Sequence, residues 1–159
     1  MGIRTQLAET LDLTYPIALA PMVFVAGGEL ASAVSNAGGL GLVGGGYGDP
    51  TWLQRELQIA STHSHRKWGV GLITWNATAE SVDLALSYSP DVFFLSFGDP
   101  AAYIPTIINA GCLVICQVQD VDEARKAADL GAHIIVAQGT EAGGHGAVCA
   151  RPCHSYRRS

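Results

Sequence analysis

Long apolar runs, basic charge and patterned cysteines are all scarce in this chain of 159 residues. Residues 1–6 hold no apolar signal-peptide core, and no ~18 uncharged apolar residues follow them, so neither a leader nor a membrane span is expected. Gln6 stands where a myristoylation motif wants Ser or Thr. Nine Lys and Arg against fourteen Asp and Glu leave a net charge of -5, with no basic stripe to neutralise phosphates, which excludes a nucleic-acid partner. Four cysteines fall as Cys112 with Cys116 and Cys149 with Cys153. Neither pair has the Cys-x-x-Cys spacing of a zinc or redox site, so reduced thiols and a cytoplasmic location are expected. Asn76-Ala77-Thr78 fits a glycosylation acceptor, but that match carries no meaning without a secretory route. What the chain does have is glycine, 19 residues, well above the usual ~7%. No G-X-Y period runs through it, and a 48% hydrophobic content implies a soluble globular core.

Short apolar runs alternate with amphipathic stretches. The runs are 17–20, 40–43, 69–74, 92–96, 113–118 and 134–137, each uncharged and mostly aliphatic, as parallel strands buried on both faces require. Helices are predicted between them. One covers 29–37 and stops at Gly38-Gly39; Asp49-Pro50 opens another to about Ala60; a third covers 78–87; Asp99-Pro100 opens a fourth to about Ala110; Asp120 caps a fifth that closes at Gly131. Strict βα alternation implies a parallel sheet, either open and doubly wound or part of a barrel. At roughly 30 residues per unit the chain holds about five units, fewer than the ~250 residues of an eight-fold barrel. Gly39-Leu40-Gly41-Leu42-Val43-Gly44 matches the dinucleotide fingerprint G-x-G-x-x-G. That fingerprint must follow a strand and open a helix, whereas here a helix precedes it and a strand runs through it.

In parallel α/β folds the working residues lie just beyond the C-terminal ends of strands. Those ends carry Ala20-Pro21-Met22-Val23, Gly44-Gly45-Gly46-Tyr47, Thr74-Trp75-Asn76, Ser96-Phe97-Gly98-Asp99, Gln117-Val118-Gln119 and a loop from Gln138 to Gly146. Glycines and uncharged polar groups gather there, which suits a flat, apolar ligand needing a few aimed hydrogen bonds. His145, flanked by Gly143, Gly144 and Gly146, can take up and return a proton near neutral pH, as a general base must. An ordinary exposed histidine in a glycine-rich turn fits the same pattern. His63 and His65 share a polar loop without a third ligand and read as solvated rather than metal-binding, and His133 reads as structural. Trp52, Trp68 and Trp75 read as packing residues, with Trp75 at a strand end able to face the pocket.

Gln138-Gly139-Thr140-Glu141-Ala142-Gly143-Gly144-His145-Gly146 and Pro16-Ile17-Ala18-Leu19-Ala20-Pro21-Met22, with four shorter motifs between them in order, resemble the nitronate monooxygenases, also called 2-nitropropane dioxygenases. The resemblance runs from about residue 10 to residue 147. It implies an incomplete TIM (β/α)8 barrel, with about five βα units plus a sixth strand, and FMN as cofactor. Ala20, Pro21, Met22 and Val23 would pass their backbone along the flavin. Thr74 and Gln117 would approach the flavin or its phosphate tail, and Gln138, Gly143 and Gly144 would line the same pocket. His145 matches the catalytic base, which would take the α-proton of a nitroalkane or assist a preformed nitronate. The substrate would then pass an electron to FMN and react with oxygen. Several bacterial relatives carry Asn where this chain has Gly71.

Residues 1–147 are thus expected to form a partial FMN-binding barrel and 148–159 an irregular tail. The tail has no amphipathic period, and Pro152 would interrupt a helix. A truncated or frame-shifted product is the expected origin. Without strands seven and eight, whose loops commonly form the phosphate site, weak FMN binding and little activity are expected. Open sheet edges invite self-association. The alternatives are a related FMN-dependent enoyl-acyl-carrier-protein reductase and a non-catalytic barrel remnant.

Overall fold

The computed structural model describes residues 4–46 and 49–144. Five parallel strands form one sheet in the order β1-β2-β3-β4-β5: β1 Gly41–Gly44, β2 Trp68–Ile73, β3 Val92–Ser96, β4 Leu113–Val118 and β5 Ile134–Ala137. Six α-helices accompany them among the described residues: α1 Gln6–Leu11, α2 Gly28–Asn36, α3 Pro50–His63, α4 Ala79–Leu86, α5 Ile104–Asn109 and α6 Val121–Asp129. Spatial order follows chain order without a reversal. A doubly wound sheet has a switch point where the order turns back; this sheet has none, and is an unclosed arc of a (β/α)8 barrel.

Alternation along the strands separates two apolar layers. Val70, Leu72, Phe93, Leu95, Val114 and Cys116 point outward into a core shared with Leu53, Leu57, Val82, Ile104 and Ile107 of the helices. Leu42, Phe94 and Ile115 point the other way and cluster with Leu40, Val92 and Leu11. Helix α1 thus packs against the inner face, beside residues at the N-terminal ends of the strands. Capping follows the sequence signals. Asp49 accepts the Thr51 and Trp52 N–H bonds at 2.9 and 3.2 Å, and Thr78 forms a capping box with Ser81. Helix α2 starts at Gly27 with no side-chain cap of its own. Instead the buried Glu56 of α3 takes the Gly28 N–H at 2.8 Å and pairs with Arg55.

Three expectations change. The run 17–20 is not a strand: Ala18 forms one isolated parallel bridge with Leu40, held by Leu40 N–H to Ile17 O and Leu19 N–H to Leu40 O, both at 2.9 Å. Pro16 and Pro21 bracket it and lack the N–H groups that would extend the ladder. The helix expected from Asp99 to Ala110 is two pieces, a 3-10 turn Pro100–Ala102 and α5, because Pro105 cannot continue a helix begun at Pro100. Helix α1, capped by Thr5, was not expected. The G-x-G-x-x-G run lies along β1 itself and does not open a helix. Residues 145–159 lie outside the described residues, and the expected irregular tail falls among them.

Candidate active site at the C-terminal ends of the strands

A cleft of about 530 Å³ opens at the C-terminal ends of the strands, within the size range of small-molecule sites. The turn at residues 20–23 forms one wall. Met22 O accepts from Val25 and Ala26 N–H at 3.1 and 2.7 Å, and Gly44 N–H returns to Ala26 O at 2.7 Å. Two glycines let this turn lie on the strand ends. A Cβ at Gly71 would overlap the Pro21 ring, and one at Gly44 would overlap the Met22 and Val23 backbone.

Ala20, Pro21, Met22, Val23, Gln117, Gln138, Gly143 and Gly144 all line this cleft. Thr74 does not: it is buried, and its hydroxyl donates to Ser96 O at 3.0 Å, tying the ends of β2 and β3. His145, the expected base, lies outside the described residues. Phe94, Phe97, Ile73 and Val136 also line the cleft. Sequence reading named Phe97 within the strand end Ser96-Phe97-Gly98-Asp99 but did not single out Phe94, Ile73 or Val136, because apolar side chains on buried strands look like any other core. Phe97 was the one with a local signal, standing between a strand end and Gly98. Its φ of 56° is left-handed, a conformation that costs a non-glycine residue about 1–2 kcal/mol and gathers at functional sites.

The cleft is mostly apolar, with its polar groups at strand ends. Gln117 Nε2 is buried without a hydrogen-bond partner among the described residues. Such a group costs roughly 1–3 kcal/mol if it stays unpaired, so it is available as a donor to an acceptor entering the cleft. A planar heteroaromatic ring with carbonyl and ring-nitrogen acceptors, lying on Pro21 and the exposed backbone of Gly143 and Gly144, fits this donor set. Gln119 Nε2 donates to Gln138 Oε1 at 3.0 Å. Beyond this wall Lys126 Nζ pairs with Asp99 at 2.8 Å, and that bond, helped by the Ala101 N–H, holds the Asp99 carboxyl below its ordinary range.

Several sequence candidates stay outside the cleft. Trp75 is 59% exposed and does not line it. Trp52 donates from Nε1 to Gly44 O at 3.1 Å and meets Phe24 edge-on. His133 Nδ1 accepts the Val114 N–H at 3.0 Å, a structural link at the opposite strand ends. Among the described residues no three potential ligands gather to hold a metal, and no helix is long and apolar enough to cross a membrane.

Comparison with known proteins gives the geometry a context. The family model "Nitronate monooxygenase" matches residues 4–73 and 63–154. A nitronate monooxygenase of Neurospora crassa is 33% identical over 79% of this chain and 43% of its own length. A (3aS,4S,5R,7aS)-5-hydroxy-7a-methyl-1-oxo-octahydro-1H-indene-4-carboxyl-CoA dehydrogenase of Mycobacterium tuberculosis is 32% identical over 91% of this chain and 41% of its own. Among solved structures, FabK from Thermotoga maritima superposes with a TM-score of 0.84 at 30% identity, covering 90% of this chain and 46% of that one. A nitroalkane oxidase from Streptomyces ansochromogenes gives 0.74 at 26%, over 89% and 50%. The chain therefore spans about half the length of the relatives it matches.

Proposed function

Because the chain belongs to the nitronate monooxygenase family of flavin-dependent oxidoreductases, we propose that its cleft is one wall of an FMN site serving oxidation of nitronates or nitroalkanes by oxygen. The observation that carries this reading is the buried Gln117 Nε2, without a hydrogen-bond partner among the described residues, in a cleft built mostly of apolar side chains and close backbone. FMN, when bound, supplies the electron-accepting chemistry. The turn at 20–23 and Gly143-Gly144 would support the ring, Gln117 and Gln138 would hydrogen-bond it, and Thr74 would keep the ends of β2 and β3 in place behind it. His145, one residue beyond the cleft-lining Gly144 in sequence, would accept the α-proton of a nitroalkane at an imidazole nitrogen. Residues 1–147 make up this part of the barrel. Since the chain spans about half of its relatives, the rest of the site is proposed to lie in the portion those relatives have beyond it.

The proposed location is the cytoplasm, supported by the free, buried thiols of Cys112 and Cys116. Self-association is proposed through the sheet edges, where Ile17 is 62% and Ile135 38% exposed.

A second reading, a flavin enzyme acting on a thioester, is favoured by the CoA dehydrogenase relative and includes the enoyl-acyl-carrier-protein reductase alternative. Oxygen consumption with propyl-2-nitronate, against NADH oxidation with an enoyl thioester, separates the two in the presence of excess FMN. Nitronate-dependent oxygen uptake supports the first reading, and thioester turnover without it overturns that reading. Replacing His145 by Ala should abolish use of neutral nitroalkanes while sparing more of the activity on nitronates. Equal loss on both would show that His145 binds rather than acts as base.

A further inference from the structure

The turn at 20–23 faces the cleft, but the groups that fix it lie outside. Just beyond the turn, Phe24 has a φ of 62°, in the left-handed region that residues other than glycine, asparagine and aspartate avoid. Phe24 is 61% exposed, so burial does little to offset that strain. Its ring instead meets Trp52 edge-on, with centroids 5.1 Å apart and an angle of 68° between the planes, a favoured arrangement of two aromatic rings. Neither Phe24 nor Trp52 lines the cleft.

Trp52 is itself well held. In the first turn of α3 its backbone N–H donates to the Asp49 carboxylate at 3.2 Å, which fixes the residue on the helix. The indole Nε1 donates to Gly44 O at 3.1 Å, and Gly44 N–H donates to Ala26 O at 2.7 Å. The end of β1 therefore ties the indole and the segment after the turn together. The Arg55 guanidinium lies over the indole, 4.9 Å from the centroid, steadied by Glu56, which also takes the Gly28 N–H. Gly27 passes so near that a Cβ there would stand 3.8 Å from Trp52 Cη2. The chain from Phe24 to Gly28 is thus gripped at Phe24, Ala26 and Gly28 by groups of α3 and β1.

We infer that Trp52 is a positioning residue: by holding Phe24 in its left-handed conformation it keeps the turn at 20–23 against the strand ends, in the shape on which the flavin ring would lie. This rests on the flavin reading of the cleft. Without the indole the strain at Phe24 loses its compensation, and the turn spends part of its time in a relaxed shape. Ligand affinity then falls with the fraction of chains that keep the competent one.

The test uses the 15N-labelled full chain, with FMN affinity read from the amide shifts of cleft residues and folding from urea unfolding. Trp52→Leu should lower FMN affinity about tenfold, the size of the left-handed penalty. Trp52→Phe keeps a ring and loses the indole N–H, and should lower affinity about threefold. Phe24→Asn alone should hold affinity within about twofold of the parent, because asparagine enters the left-handed region more readily. Added to Trp52→Leu, it should restore most of the lost affinity, since the turn no longer needs the indole. A Trp52 that served stability alone would lower the unfolding midpoint and leave the affinity of the folded chain unchanged. If the parent binds FMN and Trp52→Leu binds it equally, or Phe24→Asn restores nothing, the assignment of Trp52 is overturned and the flavin cleft stands. Should Trp52→Leu not fold, Trp52→Phe decides, and parental affinity in that variant overturns the assignment. If the parent shows no FMN contact with the cleft, the flavin reading fails and this inference with it.

Discussion

Strands β3 and β5 are similar in sequence character, Val-Phe-Phe-Leu-Ser against Ile-Ile-Val-Ala, yet they sit in different physical surroundings. Every residue of β3 is buried. It is paired with β2 and β4, its outward Phe93 and Leu95 are covered by the helix layer, and its inward Phe94 joins the inner cluster. Along β5, half-buried and exposed residues alternate. Among the described residues it pairs only with β4, its inward Ile134 and Val136 are partly buried, and its outward Ile135 is 38% exposed. Burial of a strand thus depends on its neighbours, one strand on each side and a helix above, more than on its own hydrophobicity. The cleft spans both regimes, with Phe94 and Ser96 from the buried centre and Gln138 beside the open edge.

The sharpest way to break this comparison is to cut into both strands. Phe93→Ala, at a site with 0% exposure, should cost about 3–5 kcal/mol in urea unfolding. Equal losses at Phe93 and Ile135 would show that the centre and the edge are equally packed. Next in size is Gly71→Ala, expected to cost about 1–3 kcal/mol through overlap with Pro21 and to displace the cleft wall, seen as shifted amide resonances at 20–23. A smaller effect is expected from pH. Burial pushes the Cys116 thiol from about 9 up to about 11. The folded chain then keeps its proton where the unfolded chain has lost it, so stability is fully present below pH 9 and falls as pH rises toward 11. Cys116→Ser should flatten that part of the profile. Least of all, Ile135→Thr on the exposed edge should change stability by under about 1 kcal/mol. It should also reduce any self-association seen by sedimentation.

Much of this architecture is legible in the sequence. Strands 92–96, 113–118 and 134–137 appear with the bounds expected of them, because uncharged apolar runs end sharply at turn residues. The segment 17–20 misled because an apolar run looks the same whether or not a ladder can grow on it. The break before α5 could be read only by weighing Pro105 against the cap at Asp99. For the site, the strand-end rule found Gln117 and Gln138, residues whose place depends on their own strand, and Pro21, which lies beyond an apolar run that forms only one bridge. Gln119 stood in the strand end Gln117-Val118-Gln119 that the rule named, but its contact with Gln138 depends on the register between β4 and β5, a non-local quantity. Thr74 was found for its position, but its hydroxyl is engaged with Ser96 O.

The central claim is that the strand ends form a flavin-binding wall, and titrating the 15N-labelled chain with FMN tests it most directly. The account predicts weak, saturable shifts concentrated at Met22, Val23, Gly143, Gly144 and the side-chain amides of Gln117 and Gln138. Shifts absent from these positions at millimolar FMN, or confined to the helix layer, would contradict it.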